Sequence, residues 1–371
     1  MSNRLFVGTR KGLFVLDRKP SGWDVSSVHF LGDRVSMFLP DARTGAWYAG
    51  MDLGHFGAKL RRSNDEGKSW TDLPTPVYPE GATIGAPPGP DGQPLPPPPA
   101  TLKLIWSLET GGADEPGLLW AGTIPGGLFR SADGGDSWQL VESLWNEPKR
   151  MEWFGGGADQ PGIHSICVDS RNSKHVLLGI SCGGVWVTAD GGETWALKGQ
   201  GLRAEFMPPD RQFDPNIQDA HRLVQCRDEP DAMWIQHHNG IFKSTDRSES
   251  YTEITNAAVS AFGFAVAVHP HDGKTAWFVP GVKDECRVAV DGKLAVTRTR
   301  DGAGSFEELR TGLPQRHCYD IVFRHGLDID ATGDRLAMGS STGGLWTTDN
   351  GGDSWDCFST TLPQIYCVRF W

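Results

Sequence analysis

The chain alternates apolar and polar residues in short runs, and turn residues separate the runs. Between 164 and 198 the sequence HSICVDSRNSKHVLLGISCGGVWVTADGGETWALK holds four of them, HSICVD, HVLLGIS, GVWVTAD and TWALK, broken by SRNSK, CGG and DGGE. A period of two bounded by Gly, Asn, Asp and Ser predicts a four-stranded antiparallel meander. The same order repeats at 35–76, 102–145, 221–257, 262–311 (with an excursion at 281–293) and 318–360, where YDIVF reads as the first strand. What remains is one strand at the C-terminus, IYCVRFW, and three at the N-terminus, RLFVGT, GLFVLD and WDVSSV. One plus three completes a seventh sheet. Joining the two ends in one sheet removes free strand edges, so the pattern predicts an all-β, seven-bladed propeller forming a single domain over residues 1–371.

Each blade but the last carries a related box between its third and fourth strands. RSADGGDSW (130–138), VTADGGETW (187–195) and TTDNGGDSW (347–355) agree closely; RSNDEGKSW (62–70), KSTDRSESY (243–251) and TRDGAGSF (299–306) are worn copies. The acidic residue can accept turn N–H groups, the Ser or Thr hydroxyl adds a local bond, and the glycines supply positive φ. The closing aromatic ring anchors the outer strand. These are the residues of a turn and its anchor, so the boxes are expected to be scaffold.

Composition narrows the function. A net charge of −11 and no run of Lys or Arg argue against nucleic acid as a partner. Seven scattered cysteines with no C-x-x-C spacing signal neither a disulfide framework nor a zinc knuckle. No long apolar stretch and no basic leader are present, which reads as a cytoplasmic chain with no membrane partner.

The boxes resemble the Asp-box, or BNR repeat, of sialidases, sortilin-type receptors, xyloglucanases and Ycf48-type assembly factors. More narrowly, VGTRKGLFVL, HHNGIFKS, GFAVAVHPHDGKTAWFVP and GLPQ are similar to bacterial Asp-box propellers labelled sialidase-like or glycosyl hydrolase. The resemblance spans the chain and implies a propeller with the boxes remote from the active site. A sialidase would further require three arginines on the substrate carboxylate, a Tyr–Glu nucleophile and an Arg-Ile-Pro motif; only Arg10, in GTRKG, stands near the place of the first arginine. The chain is therefore not expected to be a typical sialidase.

In a propeller the loops from strand four to the next strand one, and from strand two to strand three, share one face, where function usually resides. His164, His221 and His317 lie near first-strand starts, and His55, His237 and His238 lie in strand-two-to-three loops; the other histidines (29, 175, 269, 271, 325) map elsewhere. Imidazoles converging from several blades suit a divalent transition metal such as Zn, Fe, Mn or Cu, and His164, His221, His238 and His317 form the candidate set. No local ligand motif supports it, so the same rings are equally consistent with a polar pocket without metal or with separate structural roles. The loops 145–163 and 199–220 bring Trp153, Glu152, Arg203 and Glu205 to this face. Glu109, Glu152 and Glu205 are candidate catalytic carboxylates, with Glu109 equally placed to end a strand at the opposite mouth. Arg10, His55, Trp153, Arg203 and His237 are candidate substrate contacts, and Arg203, Arg222 and Arg316 are arginines able to accept one carboxylate. The proline-rich insertion 85–100 reads as a connector, a flap or a protein-binding arm. Two function classes follow: an enzyme of hydrolase or lyase type on a small polar or carbohydrate-like molecule, with or without a metal, and a non-catalytic propeller that binds a ligand or a protein.

Overall fold

In the computed structural model, which describes residues 1–86, 93, 95–155 and 159–371, the chain forms seven four-stranded antiparallel sheets. Their innermost strands are Val35–Asp41, Leu104–Thr110, Ile163–Val168, Ala220–Gln225, Gly263–His269, Leu327–Ile329 and Ile365–Phe370; the blades are numbered 1 to 7 in that order. Blade 7 is the composite: Ile365–Phe370 pairs with Arg4–Thr9, which continues into Gly12–Lys19 and Gly22–His29. The seven-bladed architecture expected from the alternation is thus the one observed. Helix is confined, among the described residues, to the single turn Glu142–Trp145 and a few short 3-10 segments. None is long and apolar enough to cross a membrane.

The core lies between the blades rather than inside one of them. Second strands such as Leu119–Ile124 and Val176–Ile180 are buried at every position, and Trp47, Trp120, Trp186, Trp234, Trp277 and Trp346 are nearly fully enclosed between neighbouring sheets. Burying strands on both faces favours the continuous Val, Leu and Ile runs seen there.

All six boxes fold alike. In blade 3, Thr188 donates to Asp190 Oδ1 (2.6 Å) and accepts the Gly192 N–H (2.9 Å), while Asp190 accepts the Thr194 N–H and hydroxyl (2.9 and 2.6 Å). Ser131 and Asp133 repeat this in blade 2, and Asn350 substitutes for the carboxylate in blade 6. The bonds favour the ionised acid, and those from Ser137 chief among them draw the Asp133 carboxyl down to about 2.

One strand departs from expectation. YDIVF (319–323) is the most strand-like run near the start of blade 6, yet it lies outside any strand, and the inner strand is Leu327–Ile329, entered through the turn Arg324–Gly326. Leu327 pairs with Met338, so the register of the blade is set by the second strand rather than by local β-propensity. His317 consequently sits on an exposed loop, and His325, one of the five histidines the sequence mapped away from this face, takes the place at the mouth that His317 was expected to hold.

In the other six blades the inner strand carries a register shift near its start, at Val35/Met37, Ile105/Ser107, Ile163/Ser165, Ala220/Arg222 and Gly263/Val266, and opposite Gly8/Thr9. A bulge leaves one residue out of the ladder and re-aims its side chain. Those residues are Ser36, Trp106, His164, His221 and Tyr366, with Phe264 and Ala265 both skipped in blade 5 and Arg324 and His325 completing the circle from blade 6. The ends of the proline-rich insertion are pinned by Ile84 N–H to Pro98 O (3.0 Å) and Ala100 N–H to Ala82 O (2.8 Å); residues 87–92 and 94, the body of that insertion, lie outside the described residues.

Candidate functional site at the axial mouth

Asp219, His221 and His238 meet on the face away from the boxes. Asp219 ends the loop that leads into the inner strand of blade 4, His221 follows at the bulge, and His238 comes from the loop after the second strand, Met233–His237. Asp219 Oδ1 is taken by the Ser181 hydroxyl (3.1 Å) and the Cys182 N–H (3.3 Å). Its Oδ2 faces His221 Nε2 at 3.5 Å and His238 Nδ1 at 3.3 Å, so the three ligand atoms lie within 4.8 Å of one another. Asp219 and His221 are almost wholly buried, and the His238 side chain, 24% exposed, gives access from solvent.

The hydrogen-bond arithmetic at His221 is informative. Nδ1 lies 2.7 Å from the Gly263 carbonyl, which can only accept, so Nδ1 carries a hydrogen. In the neutral ring Nε2 then presents a lone pair toward a carboxylate oxygen that also has only lone pairs. Something positive must sit between them, either a proton or a metal ion. Burial disfavours the proton, lowering His221 despite the help of Asp219. Burial by itself would also raise Asp219, but its contacts with His221 and His238 outweigh that and hold the carboxyl well below the usual range. A ring fixed through Nδ1 on a backbone carbonyl, with Nε2 turned to an ionised carboxylate, has the form that suits a metal ligand and equally that of a carboxylate–imidazole pair.

Around this group the mouth is aromatic. His221 stacks on Phe264 with centroids 4.3 Å apart, and His164 meets Trp106 edge-on at 5.3 Å. Arg324 reaches in from blade 6 over Trp106 of blade 2 (4.8 Å) and Phe264 of blade 5 (5.3 Å). A cavity of about 250 Å³ opens beside it, lined among others by Ser36, Trp106, Arg324, His325 and Tyr366. A larger cavity of about 680 Å³ opens at the opposite end, but its Arg43 and Arg171 are already bound to Asp41 and to Asp169 and Asp231. Those cations are structural.

The sequence-derived candidates distribute unevenly. His221 and His238 come together as expected; His164 is buried nearby, its Nδ1 2.9 Å from the Ser165 hydroxyl, and is not part of the three-ligand group. His317 is exposed and distant in role from it. His237 is fully buried and is pushed down to about 3 by that burial. Trp153 is buried against Trp186 and donates to Asn216 Oδ1 (3.1 Å), so its ring packs the loop rather than facing the cavity. Arg203 is held by Glu253 (2.8 Å) and Glu205 (3.3 Å), and exposed Glu152 stands 3.9 Å from Arg211. Arg10 and His55 are exposed and are not part of the three-ligand group. Arg316 is exposed, and Arg222 donates to the His164 carbonyl (3.1 Å) inside the axis. Glu109 is at the far mouth, raised by burial against the opposing pull of Arg369 and Arg222. Asp219, Arg324 and Trp106 escaped the sequence reading. The signal for Asp219 was present in QDAHR, since residues two apart at a strand entrance share a side.

No family model matches the chain. It is similar to an oligoxyloglucan-reducing end-specific xyloglucanase of Emericella nidulans, 27% identical over 278 residues, which span 68% of this chain and 32% of that protein. The chain thus spans about a third of the length of this curated relative. Among solved structures it resembles an ancestral GH74 enzyme (TM-score 0.56, 16% identity, 87% of this chain and 38% of that one). It also resembles YCF48 bound to D1 peptide (TM-score 0.52, 13% identity, 87% and 80%). At these identities the structural likeness shows the propeller fold.

Proposed function

We propose that the protein is an enzyme acting on a small polar or carbohydrate-like molecule at the axial mouth, with a divalent transition metal held by Asp219, His221 and His238. The observation that carries the reading is the pair of lone pairs on His221 Nε2 and Asp219 Oδ2, which face each other at 3.5 Å while the His221 Nδ1 hydrogen is committed to the Gly263 carbonyl and His238 Nδ1 closes the group at 3.3 Å. Two imidazoles and one carboxylate leave coordination positions open for water and substrate, a donor set suited to Zn or Fe. Such an ion supplies a Lewis acid and lowers the pKa of bound water, which favours hydrolysis or elimination. Within the chain, the Gly263 carbonyl fixes the His221 ring and Ser181 and Cys182 fix Asp219. Phe262, Phe264 and Phe206 crowd the two rings and limit water. The likeness to a xyloglucanase supports a carbohydrate-like substrate.

The test is elemental analysis of protein purified without chelator, alongside Asp219→Asn and His221→Ala. Asp219→Asn keeps an oxygen for Ser181 and Cys182 but removes the charge. The expectation is near-stoichiometric Zn, Fe, Mn or Cu in the native chain, more than ~10-fold loss in both variants, and hydrolysis in a glycoside and ester screen that tracks metal content. Metal-free protein, or variants that retain the ion, would remove the metal from the reading, and the absence of any turnover in the screen would return the chain to a non-catalytic binding propeller.

A further inference from the structure

The Arg324 guanidinium is 8% exposed and makes no hydrogen bond or ion pair among the described residues; its Nε and Nη2 are buried and unpartnered. Nearby carboxylates do not serve it. Asp219 is committed to Ser181, Cys182 and the two histidines, and Asp284 is held by Arg287 at 2.6 Å. A buried cation whose N–H groups lack acceptors is costly, because the ring faces and the charge of Asp219 offset its desolvation only in part. The two unpartnered atoms are moreover those of one edge of the guanidinium, whose parallel N–H groups match the two oxygens of a carboxylate.

Its surroundings offer donors too. His325 Nδ1 lies 3.2 Å from Arg369 Nη2, which can only donate, so the neutral ring carries its hydrogen on Nε2, buried and unpartnered. Ser165 Oγ accepts the Leu223 N–H (3.0 Å), and among the described residues its own buried hydrogen has no acceptor but His164 Nδ1 (2.9 Å); satisfying it there places the His164 hydrogen on Nε2, also buried and unpartnered. Burial holds both rings neutral by driving them far below the usual histidine value. The mouth therefore holds a cationic fork over Trp106 and Phe264 and two further N–H donors, with no acceptor assigned to any of them, and Arg324, His325 and Trp106 line its cavity of about 250 Å³.

We propose that the axial mouth binds a carboxylate-bearing molecule, its two oxygens docked on the Nε and Nη2 edge of Arg324, with the Nε2–H groups of His325 and His164 completing the donor lining. This deepens the proposed function, since it rests on the same mouth being the substrate site. The class of substrate becomes a small polar acid whose carboxylate is anchored by Arg324 while the rest of the molecule extends toward Asp219, His221 and His238. A single cation offering one fork edge favours a planar monoanion over phosphate, a tetrahedral dianion that wants more positive charge.

The experiment is NMR on protein labelled with ¹⁵N-arginine, with the Arg324 Nε–H resonance assigned through Arg324→Lys. The probes are acetate, glycolate and glucuronate, each beside its neutral amide, and inorganic phosphate. The expected result is a saturable shift of the Arg324 Nε–H with at least one carboxylate, no shift with its amide, a weaker response to phosphate, and binding reduced ~10-fold or more in Arg324→Lys, which keeps the charge but not the fork. No shift with any of the three carboxylates, an equal shift with the amides, or preference for phosphate would overturn it. The titration is repeated on His221→Ala. A response retained in His221→Ala upholds the clamp independently of the metal, and a response in native protein that elemental analysis finds metal-free upholds the clamp and removes the metal reading, whereas a metal-loaded native protein blind to carboxylates does the reverse.

Discussion

Thr188→Val in the blade 3 box separates scaffold from site. The two side chains have nearly the same shape, so the change deletes a hydroxyl and little else. That hydroxyl, 1% exposed, accepts the buried Gly192 N–H at 2.9 Å and the Asp190 N–H at 3.3 Å, and donates to Asp190 Oδ1 at 2.6 Å. Leaving a buried N–H without an acceptor costs ~1–3 kcal/mol. A chain of 371 residues has an unfolding entropy of about 0.8 kcal/mol per degree at ~2.1 cal/mol/K per residue, so the expected fall in Tm is about 1–4 °C. Differential scanning calorimetry of native and variant protein reads this directly, and metal content is measured on the same samples. The box and the Asp219 group are on opposite faces, so metal per folded chain should not change. A variant with unaltered Tm, or one that stays folded and loses its metal, would refute the assignment of the boxes to structure.

Two further outcomes follow from the same contacts. The Asp133 carboxyl, drawn down to about 2 from an ordinary 3.8, contributes stability that is present above the unfolded value and lost as pH falls through the folded one. Asp133→Asn, which copies the natural Asn350 box, should therefore flatten the stability slope between about pH 4 and 2 while leaving the neutral-pH fold intact, as read by urea unfolding at a series of pH values. At the ring closure a Cβ on Gly8 would lie 2.6 Å from Cys367 Sγ and 3.1 Å from the Val35 carbonyl. Gly8→Ala should cost ~1–3 kcal/mol by overpacking, and Cys367→Ala in the same chain should recover part of it; a purely additive double variant would mean the two strands do not meet there.

The architecture was legible because each blade repeats its own alternation and turn chemistry, and because the leftover strands at the two ends summed to one sheet. Blade 6 was misread at its entrance for a physical reason. Val, Ile and Phe in YDIVF look like a strand, but the chain needs that length to travel from the preceding blade, and pairing with Leu336–Gly339 fixes the short Leu327–Ile329 segment instead. Gly339 sits opposite Gly326 as Gly179 sits opposite Ser165, so counting back from the second-strand glycine would have placed His325 at the mouth. His221 and His238 were found from loop position alone. Asp219 and Arg324 were not, since a carboxylate or guanidinium in a loop usually meets solvent, and only coordinates reveal that one is buried against two imidazoles and the other has no hydrogen-bond acceptor. Trp153 and Arg203 were drawn toward the site by residue type, but burial against Trp186 and pairing with Glu253 give each a partner within the loops.

The central claim is that a positive ion belongs between Asp219 Oδ2, His221 Nε2 and His238 Nδ1. Crystals of chelator-free protein measured on either side of the absorption edge of the metal found by elemental analysis test it most directly. The account predicts an anomalous peak about 2.0–2.2 Å from all three atoms. Density showing instead a direct hydrogen bond from His221 to Asp219 with no anomalous signal would show that a proton occupies that place, and would contradict it.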